Sequence, residues 1–218
     1  MSKVKELLNA NSVTLFHDYR LGHANDLSRN ANHGTLAGTK KFIHGGIIDP
    51  GLTGYVSVPS NPLLFTPNAS IFILAKWMPQ ITINKGVARP LIYETATTGT
   101  TVYLDSTGGA RGIYIYKSVP YLASYKIASK PFTNTKCLAV TWAYNTKPKL
   151  YLDGVYDGEF NHNWIPEGGV VLLIKLLGIG NGASVPFNPL AQSSFCTNTQ
   201  LTDTEVAKVT SELIRQEY

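Results

Sequence analysis

Hydrolysis of a glycosidic bond by acid–base chemistry needs two carboxylates about 5 Å apart, one to attack and one to protonate the leaving oxygen. No acidic run of that kind lies on a strand-like stretch of this chain, and Asp153 and Asp157 each stand before a glycine, as turn formers do. Gly-x-Ser-x-Gly, Cys-x-x-Cys and His-Glu-x-x-His do not occur, and the five histidines fall in separate segments. The residue types point away from bond breaking and toward recognition.

Sugar binding asks for flat aromatic faces against the apolar side of a pyranose and for amides or carboxylates against its hydroxyls. Two places offer them. The stretch Phe160-Asn-His-Asn-Trp-Ile165 presents Trp164 with His162 and Asn163 beside it; Trp164 is either a stacking platform or a side chain folded back over the edge of the core. Tyr114 and Tyr116 share one face of a strand, with Ile113 and Ile115 on the other and Tyr121 and Tyr125 close behind. Such a face serves equally as a glycan groove or as a subunit contact, because tyrosine suits half-wet surfaces. Asp26 and Asp105 are the acidic residues to inspect for calcium, which takes carboxylate and carbonyl oxygens, and each also fits a turn or cap. No metal is assigned and no cofactor is expected.

The elements that must position these residues are strands. In Lys136–Tyr144, Leu138, Val140, Trp142 and Tyr144 alternate with Cys137, Ala139, Thr141 and Ala143, the period of a strand on a core. After a turn over Asn145–Pro148, Leu150 and Leu152 resume the pattern, and Asp153-Gly154 predicts a tight hairpin turn into a short third strand. Upstream, Val13–Asp18, Phe42–His44, Tyr55–Val58 and Ala69–Met78 are predicted strands, the last central because both its faces are apolar. Leu91–Thr95, Thr101–Asp105, Gly112–Tyr116 and Tyr121–Ala128 follow at short spacing, then Val170–Leu177 and Ala191–Thr197. Strands so close together, with no helix between them, describe antiparallel meanders. Thr202-Asp-Thr-Glu205 is a capping box opening a helix faced by Val206, Val209 and Leu213. The expected architecture is all-β, a two-sheet antiparallel β-sandwich of jelly-roll type over 11–201, with a short C-terminal helix over 202–218. Residues 1–10 form an arm in which Val4, Leu7 and Leu8 recur at helical spacing, the candidate element for assembly.

Four segments in order carry a family likeness. Asp26-Leu-Ser-Arg-Asn-Ala-Asn-His-Gly-Thr-Leu36, Tyr55-Val-Ser-Val-Pro59, Leu138-Ala-Val-Thr-Trp followed by Lys149-Leu-Tyr-Leu-Asp-Gly154, and Leu201-Thr-Asp-Thr-Glu-Val206 together resemble laminin G-like domains of the concanavalin A-like lectin/glucanase superfamily, over about residues 13 to 213. The chain departs from that pattern at Phe187-Asn-Pro189, where the family often has Phe-x-Gly. The resemblance implies the same sandwich, and with it either carbohydrate recognition or a rigid building block. The superfamily's glucanases carry Glu-x-Asp-x-Glu on one strand, and this chain does not; no enzyme is expected.

At 218 residues with 44 % hydrophobic content the chain suits one core. Its net charge of +5 is dispersed, without basic runs interleaved with aromatics, which argues against nucleic-acid binding. No apolar run approaches a membrane span, and the first residues are too short and charged for a secretory signal. Cys137 and Cys196 fit buried free thiols better than a disulfide scaffold. A lectin-like module without a leader is expected where exposure comes by particle assembly and lysis. The functional expectation is therefore a virion component of a bacteriophage, a capsid-decoration, head-fibre or tail-associated protein. It would associate with itself and with other virion proteins, with glycans as ligands. The alternative is an extracellular carbohydrate-binding or adhesion module cut from a larger protein.

Overall fold

The structure is a computed structural model. It describes residues 2–50, 54–59, 66–76, 87–95, 99–105, 112–117, 122–130, 135–165, 171–178 and 190–218, with backbone alone for 87–95, 99–105, 112–117, 122–123 and 171–178. The expected departure at Phe187-Asn-Pro189 lies outside the described residues, as does the strand residue Tyr121. In chain order the elements are α1 (Lys3–Asn9), β1 (Val13–Asp18), a 3-10 turn (Tyr19–Leu21), β2 (Thr35–Ala37), β3 (Lys41–Ile43), β4 (Gly46–Ile48), β5 (Tyr55–Val58), β6 (Ala69–Lys76), β7 (Val87–Thr95), β8 (Gly99–Asp105), β9 (Gly112–Lys117), β10 (Leu122–Ile127), β11 (Cys137–Trp142), β12 (Lys149–Leu152), β13 (Val155–Glu159), β14 (Val171–Gly178), β15 (Leu190–Thr197) and α2 (Asp203–Arg215).

Two antiparallel sheets stack face to face, as the strand spacing predicts. Sheet A runs β13-β12-β11-β6-β15-β4-β3, with β1 also on β15, and sheet B runs β10-β9-β8-β7-β14-β5-β2. Between the sheets lie Ile71 and Ile73 of β6, Leu138, Val140 and Trp142 of β11, Leu150 and Leu152 of β12, and Val56 and Val58 of β5. The other face of sheet A is buried too. Phe72, Leu74, Cys137, Ala139, Tyr151 and Phe195 pack there under Val4 and Leu7 of α1 and Val206, Val209 and Leu213 of α2. That is why every residue of β11 is buried and why neither face of β6 reads as polar.

The two cysteines fall on opposite faces of this sheet. Cys137 lies under the helices and Cys196 between the sheets, on strands separated by β6, so they cannot reach one another. Both are free, and burial pushes each thiol up to about 12, which keeps it protonated and unreactive.

The β11–β13 unit forms as its residues dictate, with one correction. Strand β11 stops at Trp142, not Tyr144, because Asn145 takes φ 54° and Thr146 bonds back to Ala143, leaving Tyr144 57 % exposed. The Asp153-Gly154 turn has φ 55° and 80°, as expected of a hairpin turn with both central residues left-handed. A Cβ on Gly154 would sit 3.0 Å from the Ala207 Cα of α2, so the glycine also lets the helix lie close.

Residues 1–10 are not a free assembly arm. Val4 is 0 % and Leu7 6 % exposed, and Leu8 is partly buried against the same cluster. The Glu212 carboxylate of α2 accepts the first amides of α1, Lys3 N–H and Val4 N–H, both at 2.7 Å. Those amides have no partner inside a helix, so a carboxylate on the facing helix satisfies them. The Lys3 Nζ lies 2.8 Å from Glu205 and 2.7 Å from Glu6. The side chains expected to seek an outside partner are therefore committed inside the chain. The capping box forms as predicted, with Thr202 accepting from the Glu205 amide and Glu205 reaching back.

Two outcomes follow from the helix pair. Replacing Glu212 by Gln removes the charge at the α1 amides and should cost about 1–3 kcal/mol, read from the urea unfolding midpoint. The Lys3 hydrogen bond, with the bond from the Thr202 amide next, holds the Glu205 carboxyl down to about 2 against an ordinary 4.5. The folded state thus binds fewer protons, and this stabilisation is complete above about 4.5 and lost as pH falls toward about 2. Urea midpoints measured across that window should fall more steeply for the parent than for Glu205→Gln.

Candidate functional site

Asp26 is a structural tie. It is 7 % exposed, its Oδ1 accepts from Phe16 N–H and Ser28 N–H at 2.9 Å each, and its Oδ2 accepts from Ser28 Oγ–H at 2.7 Å and Asn32 N–H at 2.8 Å. Asn30 and Asn32 donate from their side-chain amides to the Val13 and Thr14 carbonyls, at 2.8 Å each. A Cβ on Gly34 would lie 2.5 Å from Val56 Cγ1. The Asp-Leu-Ser-x-Asn-x-Asn-x-Gly pattern is thus a loop fastened to β1, and both Asp26 oxygens are engaged by donors from its own chain, which corrects its candidacy as a calcium ligand. The buried His17 closes the loop from below, its Nε2–H donating to the Asn32 carbonyl at 2.8 Å, and burial pushes the imidazole below its usual range. Asp105 ends β8 opposite Val87 and Gly112, and its side chain is outside the described residues. Among the described residues no group of three or more His, Cys, Asp or Glu could hold a metal ion.

Trp164 folds inward. It is 0 % exposed in the inter-sheet core, its backbone N–H donates to the Thr146 carbonyl at 2.8 Å, and its backbone carbonyl accepts from Asn145 N–H at 2.9 Å. A ring without an open face cannot stack on a sugar, so the platform reading is corrected. The burial of so large an apolar surface is what holds the 160–165 loop in place. Its neighbours remain outside: His162 and Asn163 are exposed, and the Asn163 amide donates to the Asn145 carbonyl at 2.9 Å.

The same loop is sewn to β10. Tyr125 N–H donates to Asn161 Oδ1 at 2.8 Å, Asn161 N–H to the Tyr125 carbonyl at 3.1 Å, and Ser124 Oγ–H to the His162 carbonyl at 2.8 Å. This joins the two aromatic places that the sequence shows separately. In the register, Tyr125 lies opposite Tyr114, and Tyr114 opposite Tyr103, so three tyrosines form one row across β10, β9 and β8. Tyr116 lies one row away, between Ala123 and Thr101. Directly opposed residues share a face of a sheet. Ser124 is 0 % exposed on the inner face while Tyr125 and Ile127 are 43 % and 62 % exposed, so the tyrosine row belongs to the outward face of sheet B. Tyr103 was not singled out from sequence; its signal is the alternation Thr101, Tyr103, Asp105 in a strand that pairs with the Tyr114 strand.

What this arrangement can do is bind. An aromatic row about two strand spacings long, some 10 Å, ends at a loop offering imidazole and amide groups. That is the combination a short oligosaccharide requires.

No protein-family model matches the sequence, and no curated protein matches it. Solved structures do. Domain 4 of AbnA, a GH43 extracellular arabinanase from Geobacillus stearothermophilus, in complex with arabinotriose, superposes with a TM-score of 0.67 at 17 % identity over 91 % of this chain and 98 % of that one. The botulinum neurotoxin serotype D binding domain gives 0.68 at 13 % identity, covering 92 % of this chain and 52 % of that one. A Trypanosoma rangeli sialidase gives 0.61 at 11 % identity, over 92 % of this chain and 32 % of that one. The chain therefore spans the length of the arabinanase domain and about half of the neurotoxin domain. At these identities the likeness establishes the fold, a β-sandwich.

Asp26→Asn puts an amide N–H against two donors and should cost about 1–3 kcal/mol in chemical unfolding. Adding a chelator to the parent should leave its melting temperature unchanged.

Proposed function

We infer that the chain is a non-enzymatic carbohydrate-binding module whose ligand lies across β8, β9 and β10 on the outward face of sheet B. The observation that carries this is the Tyr103–Tyr114–Tyr125 row running into the loop with His162 and Asn163. Support comes from structures of the same fold whose complexes hold sugars: arabinotriose on the arabinanase domain, and N-acetylneuraminic acid on a botulinum neurotoxin serotype D ligand-binding domain. Within that fold, the laminin G-like resemblance of the four segments is part of the same proposal. So is a virion setting, which rests on the sequence reading and is checked by probing purified particles for the chain. No described helix is long and apolar enough to cross a membrane.

A glycan array compares the parent with Tyr114→Ala and with the double variant His162→Ala, Asn163→Ala. Both variants should bind the parent's strongest glycan about tenfold or more weakly, with unchanged melting temperatures. Parent binding to no glycan, together with self-association that Tyr114→Ala abolishes, would replace the glycan reading with the subunit-contact one.

A further inference from the structure

We propose that the ligand is an oligosaccharide, not a single sugar, and that Tyr144 is a further stacking face for it, across the 160–165 loop from Tyr125; the proposal rests on the glycan reading above. Tyr144 follows β11 and is 57 % exposed. Its backbone is nevertheless fixed. Tyr144 N–H donates to Asn68 Oδ1 at 2.9 Å, Thr146 Oγ1–H donates to the Ala143 carbonyl at 2.9 Å, and Asn145 turns the chain at φ 54°. Among the described residues, nothing hydrogen-bonds the Tyr144 hydroxyl or stacks on its ring. An exposed, uncommitted ring on an ordered backbone has little freedom left to lose on binding, as a stacking platform requires.

The same bonds bring amides to it. Asn68, Asn145 and Asn163 are all exposed, and the Asn163 amide donates to the Asn145 carbonyl at 2.9 Å. The side-chain NH2 groups of Asn68 and Asn145 and the Oδ1 of Asn163 have no hydrogen-bond partner among the described residues. Donors and an acceptor are thus both on offer, which suits hydroxyls that give and take a bond. The contributing segments, 66–68, 143–146 and 160–165, contain no Asp, Glu, Lys or Arg, so amide, imidazole and aromatic groups are what they present. In the core beneath, the buried Nε1–H groups of Trp142 and Trp164 have no acceptor. An unpaired buried donor is destabilising, so these segments are not placed for stability alone, as expected of a segment held for its outer face. The loop is fastened to Tyr125 at Asn161 and to Asn145 at Trp164. Those fastenings are three peptide steps apart, at most about 10 Å. A single ring lying flat on one tyrosine does not also lie flat on the other, whereas a short sugar chain crosses His162 and Asn163 and reaches both.

Calorimetric titration with arabino-oligosaccharides and xylo-oligosaccharides, each from monomer to hexamer, tests this. Parent affinity should rise about tenfold or more from the shortest to the longest bound probe. Tyr144→Ala should abolish that rise while leaving the short probes unaffected, Tyr144→Phe should keep it because the ring does the stacking, and Tyr114→Ala should weaken binding at every length. Parent affinity that does not grow with length, or Tyr144→Ala matching the parent throughout, overturns the proposal while a Tyr114→Ala loss leaves the glycan reading standing. So does an equal loss at every length in Tyr144→Ala, which would make Tyr144 part of the primary contact and not an extension of it. A loss in Tyr144→Phe as large as in Tyr144→Ala overturns the stacking role. Binding that Tyr114→Ala leaves intact, or no binding of any probe, overturns the underlying reading and this proposal with it.

Discussion

Burial of sheet A on both faces is the constraint that everything else in this molecule obeys. Its strands feed alternate residues into two separate apolar clusters, one against sheet B and one against the helix pair. A slip of one residue in any of them would exchange the two sets, and because both sets are apolar, shape decides the register. Small residues on the helix side, Cys137 and Ala139, sit beside large ones, Phe72, Phe195 and Tyr151, and Phe195 meets Phe16 and Phe72 edge to face at 5.3 and 5.7 Å. Tyr218, at the end of the chain, closes the same cluster over Phe16 at 4.9 Å. The two described helices both lie on sheet A.

The edge where the sheets meet ties this packing to the proposed site. Asp157 of β13 accepts from the Ser129 amide just beyond β10, and Lys126 lies 3.6 Å from it. The Asn161 and His162 bonds to β10 continue the seam. With Trp164 buried behind it, the polar loop is held at both ends while its side chains face water. On the proposed glycan reading, such a loop would need little ordering on binding, which favours affinity.

Much of the fold was legible in the sequence because alternation and turn chemistry are local. Leu138, Val140 and Trp142 gave the β11 strand, Asp153-Gly154 the hairpin, and Thr202 with Glu205 the helix start, and each stands where local rules put it. What failed were statements about partners distant in the chain. Trp164 looked like a platform because its neighbours are polar, but Thr146 and the inter-sheet core draw it inward. Val4 and Leu7 looked like an assembly arm because nothing near them in sequence covers them; Val206, Val209 and Leu213 of α2, at the far end of the chain, do. Asp26 suited either a turn or a calcium site on local grounds, and it is the loop tie, with four donors from its own chain on its oxygens. The tyrosine row lay between these cases. Tyr114 and Tyr116 were visible by alternation, but their alignment with Tyr103 and Tyr125 depends on strand register, which alternation does not set.

Amide chemical-shift mapping of isotope-labelled protein, titrated with the strongest array ligand, tests the central claim most directly. The account predicts shifts concentrated in β8, β9, β10 and residues 160–163, with the helix-covered face of sheet A silent. Shifts confined to α1, α2 or the Asp26 loop, with the tyrosine strands unmoved, would contradict it.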